Sequence, residues 1–443
     1  MSAPGAAVRA QAARAVLAVL REGRSLKAVL AEALPTLEDA RDRALLEAIC
    51  FEALRHRRRY EHVLEQWMAH GLRGRDDSVH CLLLGGLAQI DALGLDAHAA
   101  VAATAEAARN LGRARHVGLV NALLRRATRE PLPQSVDLAI AQSYPDWLVE
   151  RVQRDWPEDA EAILAAGNVA APLWLAVNPT MGAREAYALR LRGAGIKAVA
   201  PEHPAGGLRV DARLSPERLP GWKDGAVWVQ DGSAQLAVDA LGADANARVL
   251  DACAAPGGKT AQLAARRGES GSVLAGDIDK RRLRRVGDSL ARLGLVAASV
   301  RLGAADASDP EALANEAPFD AILIDAPCSA TGIIRRQPDI KWHRRADDMP
   351  ALLALQAKLL DTLWLRLAPG GRMLYATCSI LREENEMQVA AFLARTPDAR
   401  ACPLDARFGR EAGVGRQRLP GEDGMDGFFY AALVKDAADA ADA

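Results

Sequence analysis

Two cysteines follow runs with the composition of buried strands: Ile322-Leu323-Ile324-Asp325-Ala326-Pro327 leads into Cys328, and Met373-Leu374-Tyr375-Ala376-Thr377 leads into Cys378. In a doubly wound α/β sheet, ligands gather outside the carboxyl ends of the strands. A thiol delivered to that edge can act as a nucleophile, so two of them point to covalent catalysis. A cysteine taken alone is more often a small buried hydrophobe. The shared position at strand ends, after Pro or Thr, tips the reading toward chemistry.

The elements that must position these thiols begin near residue 246, where strand, glycine loop and helix alternate as in a parallel sheet covered on both faces. Strands are predicted at Arg248 to Asp251, Ser272 to Asp277, Ser299 to Leu302, Phe319 to Asp325 and Gly371 to Thr377. The first runs into Asp251-Ala252-Cys253-Ala254-Ala255-Pro256-Gly257-Gly258-Lys259-Thr260, a tight turn entering a helix. Its small residues let backbone approach a ligand, and the helix start offers free N–H groups. Gly258-Lys259-Thr260 is not a nucleotide-phosphate loop, because that motif needs glycine where Cys253 stands. No G-x-G-x-x-G is present either. Asp277 closes the second strand, where a carboxylate can accept from both ribose hydroxyls of an adenosine. Asp306, just past the third strand, can accept from the adenine amino group. Each aspartate alone reads as a cap or turn residue; together after successive strands they suit S-adenosylmethionine.

With 443 residues, half of them apolar, the chain can fill two or three cores, and three are expected. Residues 8 to 130 read as amphipathic helices broken at Gly23, Pro35, Gly71 to Gly74 and Gly94, an antiparallel bundle. The arginines Arg55, Arg57, Arg58, Arg59, Arg109, Arg113, Arg115, Arg125, Arg126 and Arg129 read either as a solvated surface or as a phosphate-contacting face. Pro131 and Pro133 end the bundle, and a small α+β module follows, with a strand-like run Leu173 to Val177. The net charge of −1 favours neither nucleic acid nor membrane overall, so such a partner must be met by a local patch. The six cysteines show no C-x-x-C and the eight histidines no ligand spacing, which argues against zinc or a disulfide framework. Without an apolar leader or a run of about 18 apolar residues, a soluble cytoplasmic protein is expected.

Cys253-Ala254-Ala255-Pro256-Gly257-Gly258-Lys259-Thr260, Asp325-Ala326-Pro327-Cys328-Ser329-Ala330-Thr331-Gly332, Tyr375-Ala376-Thr377-Cys378-Ser379 and Asp426-Gly427-Phe428-Phe429-Tyr430 resemble the signature motifs of the RNA cytosine-C5 methyltransferases, the Nol/Nop/Sun superfamily. The helical third is similar to the NusB antitermination fold, with Val120-Asn121-Ala122-Leu123-Leu124-Arg125 resembling its last helix. The combination resembles the bacterial RsmB (Sun/Fmu) type, which modifies small-subunit ribosomal RNA. The resemblance implies a multidomain α and α/β protein: a NusB-like bundle over 1–132, a small α+β linking module over 133–235, a Rossmann-like methyltransferase domain over 236–435 and a disordered tail over 436–443.

It also implies S-adenosylmethionine as cofactor, held by Cys253, Ala254, Ala255, Pro256, Gly257, Gly258, Lys259, Asp277, Asp306 and Asp325, and 16S ribosomal RNA as partner of a monomer without metal. Cys378 takes the role of nucleophile toward cytosine C6, and Cys328 that of assisting release. Asp325 lies where it can bond the N3 and N4 edge of the base. Lys259 is left between base, phosphate and cofactor carboxylate. The basic run Arg335, Arg336, Lys341, Arg344 and Arg345, with Trp342 and His343 inside it, is expected to hold RNA phosphates while the target base is unstacked. Two rivals stand beside this reading: a DNA cytosine-C5 methyltransferase, whose nucleophile would be Cys328, and a non-catalytic RNA-binding factor.

Overall fold

The computed structural model describes residues 5–68, 71–72, 76–211 and 214–437. Residues 438–443 of the expected tail lie outside them. The chain forms two compact units: Met1–Val169 with Ile334–Ala346, and Ala170–Ile333 with Asp347–Ala443.

The first unit is helical. Ala6–Glu22 is alanine-rich and buried along most of its length, which lets three neighbouring helices, Ala40–Arg55, Asp77–Asp91 and Ala97–Asn110, approach it closely. Gly23, at φ 68°, ends that helix in the left-handed conformation that glycine adopts freely. Gly86 lies so near Val117–Ala127 that a Cβ there would meet the Leu124 side chain at 2.7 Å. The unit also takes in three short helices beyond the proline break, Leu138–Ala141, Asp146–Asp155 and Ala160–Gly167. They are tied in where the Arg58 backbone N–H donates to the Ser143 hydroxyl and the Arg58 guanidinium to the Tyr144 carbonyl, at 2.9 and 2.7 Å.

The segment Ile334–Ala346, which follows the Cys328 loop in sequence, belongs to this helical unit, and that corrects the expected RNA-binding run. Lys341 is 1% exposed, its ammonium donating to the Arg55 and Ser143 carbonyls and to the Asn168 side chain at 3.1, 3.0 and 2.6 Å. The Tyr144 ring lies 3.7 Å from the same nitrogen. Arg335 is also buried, its carbonyl accepting from Arg55. Asp339 accepts from the Leu26 backbone N–H, and the Trp342 indole donates to the Leu54 carbonyl. Buried side chains cannot serve a phosphate track, so Lys341 and Arg335 are structural. Arg336 and Arg344 are half-buried and Arg345 is exposed.

Of the ten bundle arginines named above, Arg55 alone is buried and falls outside both readings, whereas Arg109, Arg115, Arg125, Arg126 and Arg129 are exposed. Arg55 is buried against Glu52, while Arg57 pairs with Glu61, Arg58 with Asp146, Arg59 with Asp91, and Arg115 with Asp76.

Removing the Lys341 amine leaves the buried Arg55 and Ser143 carbonyls and the half-buried Asn168 oxygen without this donor, a buried unpaired acceptor costing about 1–3 kcal/mol. Lys341→Met, which keeps most of the apolar stem, is expected to lower unfolding stability by about 3 kcal/mol in denaturant titration. A stability within 0.5 kcal/mol of wild type (about the scatter of a neutral surface substitution) together with weaker RNA binding would instead return Lys341 to the phosphate track.

The second unit contains the alternating strands. β1 (Arg248–Asp251), β2 (Ser272–Asp277), β3 (Val300–Ala304), β4 (Phe319–Asp325) and β5 (Leu367–Thr377) lie in the order β3-β2-β1-β4-β5, all parallel. β6 (Phe428–Lys435) adds antiparallel to β5, and three short strands extend that side. The reversal of strand order beside β1 opens the crevice in which such sheets bind ligands. β4 and β5 pair with Asp325 opposite Ala376, so the backbone register carries the two cysteine loops off the same sheet edge.

The linking module's strands, including Leu173–Val177 and Gly207–Val210, form a separate four-stranded antiparallel sheet. As expected the module has a core of its own, built from Leu175, Val177, Leu191, Leu208 and Val210, while the opposite face of its sheet packs into the core of the parallel sheet. Trp174 is buried with Leu236, Val249 and Tyr430, and the Asn178 amide donates to the Leu293 carbonyl at 2.9 Å.

Candidate active site

β1 ends at Asp251, and the loop after it turns at Gly257, φ 102°, into the helix Gly258–Arg266. A Cβ on Gly257 would sit 3.0 Å from Val286 and one on Gly258 3.1 Å from Gln230, so the turn is closely backed on both sides. Asp251 is fully buried and accepts from the Thr260 hydroxyl at 2.6 Å, while its other oxygen, also buried, has no partner. Burial raises its pKa to about 6 against the opposing Thr260 bond.

Asp277 is buried at the end of β2 and braces the same loop, one oxygen accepting from the Ala255 N–H at 3.2 Å and the other from the Asp279 N–H at 3.0 Å. Each carboxylate oxygen keeps a second lone pair for a ligand. Asp306 is exposed and accepts from the Ser308 N–H, the bond that holds its carboxyl below the usual range. Its neighbour Ala305 donates to the Asp277 carbonyl, which brings the two aspartates to one rim. An unpartnered buried carboxylate oxygen, a helix start and two further carboxylates fit a ligand with a cationic amino acid end and ribose hydroxyls. Cys253 is held neutral by burial and by Asp325, Asp251 and Asp277 around it, which suits a lining residue rather than a nucleophile.

The Lys259 ammonium donates to Asp325 at 2.6 Å, a partner not among the three weighed from the sequence, and lies 5.2 Å from the Phe428 ring. Burial opposes its charge, but Asp325, Asp251 and the Cys378 sulfur outweigh burial and keep Lys259 cationic. The Cys328 and Cys378 sulfurs are 3.5 Å apart. Cys328 is buried and Cys378 is half-exposed. The hydrogen bond to Cys378, then burial, raise the Cys328 pKa strongly, so Cys328 stays a thiol that can donate toward its neighbour.

Sequence reading missed Asp251 as a site residue and missed Glu384 altogether. Glu384 is buried under both cysteine loops and bonded to Ser329 and Ser379. The one signal for it is the acidic cluster Glu383-Glu384-Asn385-Glu386 soon after Cys378.

Three family descriptions match successive parts of the chain: the NusB family over residues 6–129, the ferredoxin-like domain of RsmF/B-like methyltransferases over 144–215, and 16S rRNA methyltransferase RsmB/F over 238–434. Ribosomal RNA small subunit methyltransferase B of Xanthomonas campestris is 51% identical over 434 residues, 98% of each chain. A methyltransferase homolog from Pyrococcus horikoshii is 29% identical with TM-score 0.59, covering 68% of this chain and 98% of that one. NSun6 from Pyrococcus horikoshii, solved with SFG, shares the fold at 20% identity and TM-score 0.61, over 67% of this chain and all of that one. With the helical unit, the antiparallel module and the two-thiol sheet edge in place, the chain belongs to the RsmB/F family of 16S ribosomal RNA methyltransferases.

Proposed function

We propose that the chain forms 5-methylcytosine in 16S ribosomal RNA through a transient bond between Cys378 and C6 of the base. The observation that carries this reading is the pair of sulfurs 3.5 Å apart beside the Lys259–Asp325 ion pair. C5 of cytosine is a weak nucleophile, and addition of a thiolate to C6 turns C5 into an enamine carbon. The more exposed sulfur, Cys378, is the one a base can reach. The Cys328 thiol, kept protonated, can donate its S–H toward that sulfur, and the Lys259 cation lies beside the same site.

Asp325, oriented by Lys259, takes the N3 and N4 edge of the base and stabilises charge as the thiolate adds. S-adenosylmethionine would supply the electrophilic methyl group, and an analogue of it, SFG, accompanies the archaeal NSun6. The loop from Cys253 to Lys259, Asp251, Asp277 and Asp306 would hold that cofactor. Release needs the C5 proton removed while the electrons of the sulfur–C6 bond return to Cys378. The C5 proton passes to a water, and Cys328, kept a thiol, assists by donating its S–H toward the departing Cys378 sulfur. Arg336, Arg344 and Arg345 remain as RNA contacts in this scheme.

Purified protein given radiolabelled S-adenosylmethionine and unmodified 16S RNA is expected to label the RNA, with bisulfite sequencing placing the label on cytosine. Label on another base would overturn the cytosine assignment. No label on RNA or on partly assembled small subunits would favour the non-catalytic reading.

A further inference from the structure

Glu384 is 0% exposed, and its carboxylate gathers four donors from three segments, two of them distant in sequence. One oxygen accepts from the Ser329 backbone N–H at 2.7 Å and from the Gln356 amide at 3.0 Å. The other accepts from the Ser329 hydroxyl at 2.5 Å and from the Ser379 hydroxyl. Ser329 directly follows Cys328, and Ser379 directly follows Cys378. The same Gln356 amide donates to the Pro327 carbonyl at 3.0 Å, on the other side of Cys328. Burying a carboxylate is unfavourable unless its lone pairs are taken up, so the segments that supply the donors are held to it. The loops also have little room to slide: the Gly332 N–H donates to the Cys378 carbonyl at 2.8 Å, and a Cβ on Gly332 would come within 2.2 Å of the Gly427 carbonyl.

We propose that Glu384 is a positioning residue, whose carboxylate anchors the Cys328 and Cys378 loops together and so fixes the separation of the two sulfurs. It acts through Ser329 and Ser379, which carry its bonds to the two cysteine loops. The role rests on the two-thiol reading, but it predicts a geometry that can be measured without any methyl transfer. The cofactor loop lies outside the clamp, so cofactor binding should be untouched.

Diamide provides the test on full-length protein: it takes one hydrogen from each thiol and becomes the hydrazine as the Cys328–Cys378 disulfide forms, followed by peptide mass spectrometry. E384A is expected to slow this disulfide at least tenfold and to lower kcat at least hundredfold, with KM for S-adenosylmethionine within twofold of wild type. E384Q still accepts on one oxygen, and the two hydroxyls can turn to accept from its amide, so it should recover at least tenfold of the lost kcat. A wild-type disulfide rate in E384A overturns the proposal, as does a slowed rate with kcat unchanged. Should E384A not fold, the Ser329→Ala/Ser379→Ala double variant takes its place, with losses of at least fivefold in both rates expected and no loss overturning it. Rapid disulfide formation in a wild-type protein that methylates nothing would defeat the two-thiol function and leave the clamp standing.

Discussion

Replacing Cys378 by alanine is expected to lower methyl transfer to 16S RNA by a factor on the order of 10⁴ or more, because the bond to C6 that activates C5 is made by its sulfur. The Cys378 sulfur is half-exposed at the sheet edge. Removing it leaves little cavity, so the unfolding midpoint should move by less than about 1 kcal/mol of stability. Affinity for S-adenosylmethionine should stay within a factor of two in calorimetry, since Asp251, Asp277 and the Gly257 turn are unchanged. That combination, a dead enzyme with an intact fold and cofactor site, separates a chemical role from a structural one. If Cys378→Ala kept its activity and Cys328→Ala lost it, the nucleophile would be the cysteine after Pro327, as in the rival DNA-type mechanism.

The second large effect concerns Cys328. Its thiol is buried, kept protonated by its bond to Cys378, and lies 3.5 Å from the nucleophile. With alanine there, addition and methyl transfer can still proceed, but the step that restores the ring and frees Cys378 loses its assistant. Cys328→Ala protein should therefore accumulate a covalent protein–RNA species that migrates slowly on a denaturing gel and is absent when Cys378 is also replaced. A Cys328→Ala enzyme that turns over at the wild-type rate without such a species would remove Cys328 from release.

Much of the catalytic sheet is legible in the sequence. β1, β2 and β4 begin and end where the apolar runs do, because a strand buried on both faces reads as a continuous hydrophobic stretch. Cys328, Cys378, Asp277 and Asp325 follow from those ends. Lys259 is legible as a site residue but its partner is not: base, phosphate and cofactor carboxylate are the readings open to it, and Asp325 meets it only through the register of β1 against β4.

Residues whose environment is assembled from distant segments are misread in the sequence or escape it altogether. Lys341 sits in a basic run that looks like a phosphate track, yet its acceptors come from residues 55, 143 and 168. Glu384 looks like a surface turn residue and is buried because donors from residues 329, 356 and 379 converge on it. The bundle arginines show both cases. The Arg57–Glu61 pair is one helical turn and readable, whereas Asp91 and Asp146 reach Arg59 and Arg58 from other helices.

The covalent bond itself can be located. Cys328→Ala protein is incubated with 16S RNA and S-adenosylmethionine, digested with protease and nuclease, and the nucleotide-bearing peptide is sequenced by mass spectrometry. The expected peptide carries a methylated cytidine on Cys378; a nucleotide attached to any other residue, or active methylation with no attached nucleotide, contradicts catalysis through the sulfur at the end of β5.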